Sequence, residues 1–308
     1  MTRLSRWLLG VVCAGGLLLA AGGGPGPLAG PSPDYPRILW EHLATQVSFG
    51  PRPPGSAGHL NARQYIKSVA GGLGLEVREM RFAHSTSGGA LWLSNLEIPL
   101  PGREAGRPVL LGAHYDTRPF SDEDPEPANR TKPLLGANDG ASGTAVLLGL
   151  ARYFRDHPPR RPVRLVFFDG EDYGRKFSDE YFLGSREYAR SLRRLDRDRW
   201  PFCVLIIDMV GDRDLQIYKE VYSHESAPWL LDLVFKTARR LGYTPFIPKP
   251  RHTIRDDHLA FQALGLPAAV LIDFDYPYWH TQEDTLDKCS PESLFQVFSV
   301  VAEVVGNL

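Results

Sequence analysis

The sequence predicts an α/β layer fold, and three observations carry that reading. Short apolar runs of strand length alternate along the chain with segments of helical periodicity, the succession that packs helices against a sheet. Two of the runs, Val163–Phe168 and Val204–Ile207, lack the apolar/polar alternation of a half-exposed strand and suit strands buried on both faces. Finally, 43% of the 308 residues are hydrophobic and 23% charged, with 30 glycines and 26 prolines, which excludes a disordered or fibrous chain and suits many tight turns.

Helical periodicity opens the body of the chain at 36–48 and 58–72. Strand-length apolar runs follow at Leu75–Phe82, Ala90–Ile98 and Val109–Ala113. A helix is expected over Thr144–Phe154, entered through Gly140-Ala141-Ser142-Gly143. After the two buried strands come helices near 226–241 and 256–264, a strand at Ala268–Ile272 and a closing helix over 290–305. No repeat or second compositional regime interrupts residues 34–308, and one core can serve roughly 250–300 residues, so a single domain is expected there.

Residues 1–33 read differently. Arg3 and Arg6 precede an apolar stretch, Trp7–Ala21, and then small residues and prolines, the pattern of a secretory signal peptide or an uncleaved N-terminal anchor. The stretch is short for a spanning helix, which needs about 20 residues. The rest of the chain is therefore expected to be exported: periplasmic, secreted or anchored at the outer face of a membrane. With 35 Lys+Arg against 36 Asp+Glu, the chain has no basic footprint for nucleic acid. Cys203 and Cys289 remain outside the leader, too few for a disulfide framework; one bridge or two buried thiols are both open.

The informative residues stand where the strands end, the edge at which open α/β sheets bind ligands. Val109–Ala113 runs into His114-Tyr115-Asp116, Val163–Phe168 into Asp169-Gly170-Glu171-Asp172, and Val204–Ile207 into Asp208. Asn138-Asp139-Gly140 precedes the first long helix, and the last strand leads through Asp273 to Trp279-His280-Thr281. Singly, each acid reads as a turn or capping residue, and Asp256-Asp257 as acids favoured in a first helical turn. Together they suit zinc, which takes histidine nitrogen and carboxylate oxygen and keeps a position open in catalytic sites. Neighbours such as Glu171 and Asp172 point in different directions, so one can bind metal while the other serves as general base and acid. The loop 118–135, rich in proline and acids, reads as a solvated surface loop or rim.

At this point the sequence resembles the zinc aminopeptidase superfamily and, within it, the glutaminyl-peptide cyclotransferases. The match lies in Gly112-Ala113-His114-Tyr115-Asp116-Thr117, Gly136–Gly143, Phe167–Asp172, Leu183-Gly184-Ser185-Arg186, Ile207–Gly211, Asp256-Asp257-His258 and Trp279-His280-Thr281, in the family's order. The resemblance implies a three-layer α/β/α domain with a central mixed, mostly parallel sheet. It implies a zinc ion on Asp139, Asp172 and His280, with Glu171 as acid/base residue, Asp208 and Asp256 as supporting acids, and Trp279, Phe177 and Tyr276 as pocket walls. The substrates would be peptides or proteins with N-terminal Gln. Trp before His280, the Asp256-Asp257-His258 triplet and the long insert after Asp172 resemble the cyclases. Asp172 stands where the family commonly has Glu, and Asn138–Gly143 is closer to the aminopeptidase form. An aminopeptidase with one or two zincs, the second on His114 and Asp208, is the competing reading, and a binding protein that kept the fold without the chemistry is the third.

Overall fold

The computed structural model describes residues 31–308 apart from Ser87, Gly88 and Phe177. Most of the leader expected over 1–33 therefore lies outside the described residues, as does Phe177. Among the described residues no helix is long and apolar enough to cross a membrane.

Helices α1 (Tyr35–Ser48) and α2 (Ala57–Gly72) lead into a hairpin of β1 (Arg78–Thr86) and β2 (Gly89–Leu100), followed by β3 (Val109–His114), α3 (Ala141–Asp156), β4 (Val163–Phe168), α4 (Leu183–Leu192) and β5 (Cys203–Asp208). Then come β6 (Ile217–Lys219), α5 (Val221–Ser226), α6 (Pro228–Arg240), β7 (Phe246–Pro250), α7 (His258–Gln262), β8 (Ala268–Ile272) and α8 (Pro291–Asn307). The main sheet runs β1-β2-β4-β3-β5-β8. β4, β3, β5 and β8 are parallel, and the β1/β2 hairpin joins antiparallel through β2. Alternate side chains of each central strand enter two cores. Val109, Leu111 and Leu205 pack with α1, α3, α6 and α8 on one face. Leu110, Val204 and Val270 pack with α4 and α7 on the other. The fold is the expected three-layer α/β/α sandwich around a mixed sheet, and β3, β5 and β8 are buried throughout, as their unbroken apolar runs require.

Several boundaries move. The first strand is Arg78–Thr86 rather than Leu75–Phe82 because its pairing with β2 brings Thr86 opposite Gly89, while Leu75 and Val77 pack on the core ahead of it. The helix expected from 226 begins at Pro228, since Ala227 before the proline is held out of helical geometry. The small β6/β7 sheet and α4 lie outside the sequence reading, because β6 spans three residues and α4 is short and largely polar. Cys203 and Cys289 are separate, buried, free thiols.

The glycines ahead of α3 let it approach the strand ends. A Cβ on Gly143 would lie 2.0 Å from the Ile207 carbonyl oxygen, and Gly140, at φ +96°, would meet the Asp116 carbonyl at 2.3 Å. Gly143→Ala should cost about 1–3 kcal/mol of stability, read in a urea melt, because backbone rather than a flexible side chain would have to move. An unchanged midpoint would contradict this packing.

Candidate active site

Polar groups fix the start of α3 against the neighbouring strand ends. Asn138 Oδ1 accepts the Gly211 N–H at 2.7 Å, Ser142 Oγ accepts the Val210 N–H at 3.0 Å, and Thr144 Oγ1 donates to the His114 carbonyl at 2.8 Å. The buried Asp284 carboxylate accepts the backbone N–H groups of Asn138 at 2.8 Å and Asp139 at 3.1 Å. Asp139 is thus a carboxylate presented by its neighbours' bonds. It is not the cap of α3, since Gly140 occupies the N-cap position. Asp116 does the same for β4: its two oxygens accept the Glu171 and Asp172 N–H groups at 3.1 and 3.3 Å.

These supports bring Asp139, Asp172 and His280 together, with one ligand atom of each within 4.8 Å of the others. His280 Nε2 lies 3.2 Å from Asp172 Oδ2 and 3.6 Å from Asp139 Oδ2. A second group, His114, Asp139 and Asp208, meets the same criterion, with His114 Nε2 3.2 Å from both Asp139 Oδ1 and Asp208 Oδ1. Asp139 belongs to both. All five residues are buried.

A cavity of about 270 Å³ opens over the first group. Its lining includes Asp139, Glu171, Asp172, Asp208, Asp256, Trp279 and His280. His114 is not part of the lining. Glu171 stands on the His114 side, its Oε2 3.9 Å from His114 Nδ1, whereas Asp172 stands on the His280 side. The Trp279 ring stacks on His280 with centroids 3.7 Å apart. Three of the four non-glycine residues described with positive φ, Phe182, Met209 and His280, line this cavity, backbone strain concentrated at a site.

The sequence reading missed Arg118 and Asp122, which place the start of the loop 118–135 at the rim of the cavity, while residues 125–133 are mostly exposed. Arg118 is buried and Asp122 half-buried: Arg118 Nη1 donates to Asp172 Oδ1 at 2.7 Å, and Arg118 Nε and Nη2 grip Asp122 at 2.7 and 2.6 Å. Asp122 Oδ1 in turn lies 3.5 Å from His280 Nδ1. Tyr276 is also corrected. It is not a pocket wall, because its hydroxyl donates to Asp284 Oδ1 at 2.8 Å, behind Asp139. Tyr181 lines the cavity in its place and accepts from Arg118 Nη2 at 2.9 Å.

So many acids in one buried place perturb one another. Burial, with the charges of Asp172, Asp257 and Asp256, pushes Glu171 well above the usual carboxylate range, against the pull of His114. Burial and the Asp208 and Asp257 charges do the same to Asp256. Burial alone would lower His280, but Asp172 and Asp122 prevail and raise it to about 9. Burial also opposes ionisation of Asp172, yet His280 and Arg118 hold it below its ordinary value.

The residues fit a divalent metal. Asp172 Oδ2 is buried without a hydrogen bond among the described residues. With the His280 Nδ1–H directed at the Asp122 carboxylate, the Nε2 lone pair converges with oxygens of Asp139 and Asp172, a set that a cation satisfies and that suits zinc. Asp122→Asn should weaken metal binding about 10–100-fold while leaving the fold intact, measured by competition with a chelating dye. Unaltered affinity would remove Asp122 from this role.

Comparison with known proteins agrees with the geometry. The family model for peptidase family M28 matches residues 95–305. A glutaminyl-peptide cyclotransferase from Bothrops jararaca is 29% identical over 295 residues, covering 83% of this chain and 78% of its own. The crystal structure of a glutaminyl cyclase from Bacteroides thetaiotaomicron superposes with a TM-score of 0.84 at 31% identity, covering 91% of this chain and 100% of that one. A Zn-dependent exopeptidase from Parabacteroides distasonis gives 0.83 at 32% identity, covering 90% and 100%. The chain belongs to peptidase family M28, with the zinc aminopeptidase-like fold that glutaminyl cyclases share.

Proposed function

We propose that this chain is a zinc-dependent glutaminyl-peptide cyclotransferase, converting N-terminal Gln of peptides to pyroglutamate with release of ammonia. The observation that supports it is the Asp139, Asp172 and His280 group facing the cavity beside Glu171 and Trp279, in a chain whose fold matches a bacterial glutaminyl cyclase. One metal suffices for an intramolecular attack by an amine, which consumes no water.

Zinc held by Asp139, Asp172 and His280 would act as a Lewis acid on the γ-carbonyl of the bound Gln. Glu171 takes a proton from the α-amine, whose nitrogen forms a bond to the side-chain amide carbon, Cδ; the bond from that carbon to the amide nitrogen breaks, and Glu171 returns the proton to the departing ammonia. Asp208 and Asp256, both on the lining, accept hydrogen bonds from the substrate's amine and amide. Trp279, locked over His280, walls the pocket and excludes water. Because the ring closes within one molecule, holding amine and carbonyl in register supplies much of the rate.

The His114, Asp139 and Asp208 group favours the alternative, a two-zinc aminopeptidase in which Glu171 would deprotonate an attacking water. The test is to follow ammonia release and loss of the reactive amine from a peptide with N-terminal Gln. The cyclase releases one ammonia per amine consumed, whereas the aminopeptidase releases none and leaves a new amine. The pattern of residues 1–33 supports an exported enzyme. Its N-terminus, sequenced from extracytoplasmic material, would begin near residue 34 if the leader is cleaved.

A further inference from the structure

A second groove, of about 420 Å³, adjoins the cavity and is of opposite charge. Phe182 and Arg255 line both, so the two meet at this rim. Beyond the rim the groove is formed by Arg186 and Arg190 of α4 and Arg193 at its C-cap, with Leu259 from α7 opposite. Spacings of four and three residues put these arginines on one face of the helix. Among the described residues, only Arg190 has a carboxylate partner, Glu187. Arg186 donates to the Asp179 carbonyl at 2.7 Å and lies over the Phe182 ring. Arg193 and Arg255 make no ion pair among the described residues and are exposed.

We propose that this groove binds acidic side chains a few residues downstream of the substrate's N-terminus, so that the preferred substrates are peptides with Gln first and Asp or Glu shortly after. The inference rests on the cyclase reading for what occupies the cavity. The molecule presents a matching polarity: Glu171, Asp208 and Asp256 line the cavity that takes the amine, and arginines line the exit. The dimensions agree as well. From Arg186 to Arg193 the helix advances about 10 Å, at roughly 1.5 Å per residue, the length of about three extended residues at 3.3–3.6 Å each. Arginine also suits carboxylates through its fork of donors.

The test uses the full chain and peptides beginning Gln-Ala, followed by three acidic, three serine or three lysine residues. Pyroglutamate formation gives KM and kcat, and fluorescence anisotropy of the same peptides, labelled at the C-terminus, gives binding independently. The acidic series should show a KM about tenfold below the serine series at low salt, with similar kcat, and the advantage should shrink as salt is added. R190E/R193E should reverse the order in favour of the lysine series. If that variant melts early, R193Q should still narrow the gap. Equal KM and equal binding across the series, or an acidic preference that survives R190E/R193E, would overturn the proposal. If no peptide is cyclised, the reaction assigned above fails, and the anisotropy series still decides the groove.

Discussion

Glu171→Gln is expected to lower kcat by about 10²–10⁴-fold while the purified chain keeps its metal and its melting temperature. The amide has nearly the shape of the carboxylate and can neither take the amine proton nor return it. Glu171 is outside both ligand groups, so metal content should not follow activity. Its buried surroundings should accept the change readily, since a neutral group replaces one whose charge is disfavoured by burial and by three neighbouring acids. Loss of metal together with activity would make Glu171 a ligand, and retained activity would remove it from the proton path.

The second large effect concerns Asp172, which has two distinct duties. Its Oδ2 faces His280, and its Oδ1 holds the Arg118 guanidinium. Asp172→Ala should therefore lose bound zinc, measured by elemental analysis, and also lose stability, because an almost fully buried arginine keeps, among the described residues, only Asp122 as its charged partner. Breaking a buried pair costs about 3–5 kcal/mol, and the surviving partner places this case near the lower end. Adding Arg118→Met should recover part of the stability without recovering zinc. His280→Ala should lose zinc and leave the Arg118–Asp172 pair in place. If Asp172→Ala kept its zinc, the ligand assignment would fail; if it kept its stability, Arg118 would not depend on it.

What could be read from the sequence follows from where its signals are strong. Buried strands announce themselves as apolar runs, so β3, β4, β5 and β8 were legible, and their ends brought His114, Glu171, Asp172, Asp208 and His280 to one edge. β1 was displaced because an edge strand with half-exposed residues has its limits set by hairpin register. α4 was not legible because its LGSREYARSL segment is largely polar, although its arginines form the groove. Arg118 and Asp122 sit in a loop without periodicity, and the ion pair of Arg118 with Asp172 spans 54 residues of sequence, a separation that no local pattern reports. Tyr276 was misplaced because side-chain direction in a turn cannot be derived from spacing. Its hydroxyl turns instead to the buried Asp284, whose need for donors only the fold reveals.

The most direct test of the central assignment is the mass of the product formed by the chain residues 34–308, loaded with zinc, from a peptide with N-terminal Gln. One product is expected, lighter than the substrate by one ammonia, with every peptide bond intact. Release of free glutamine and a peptide shortened by one residue would contradict it, and would assign the site to hydrolysis with His114 and Asp208 holding a second metal.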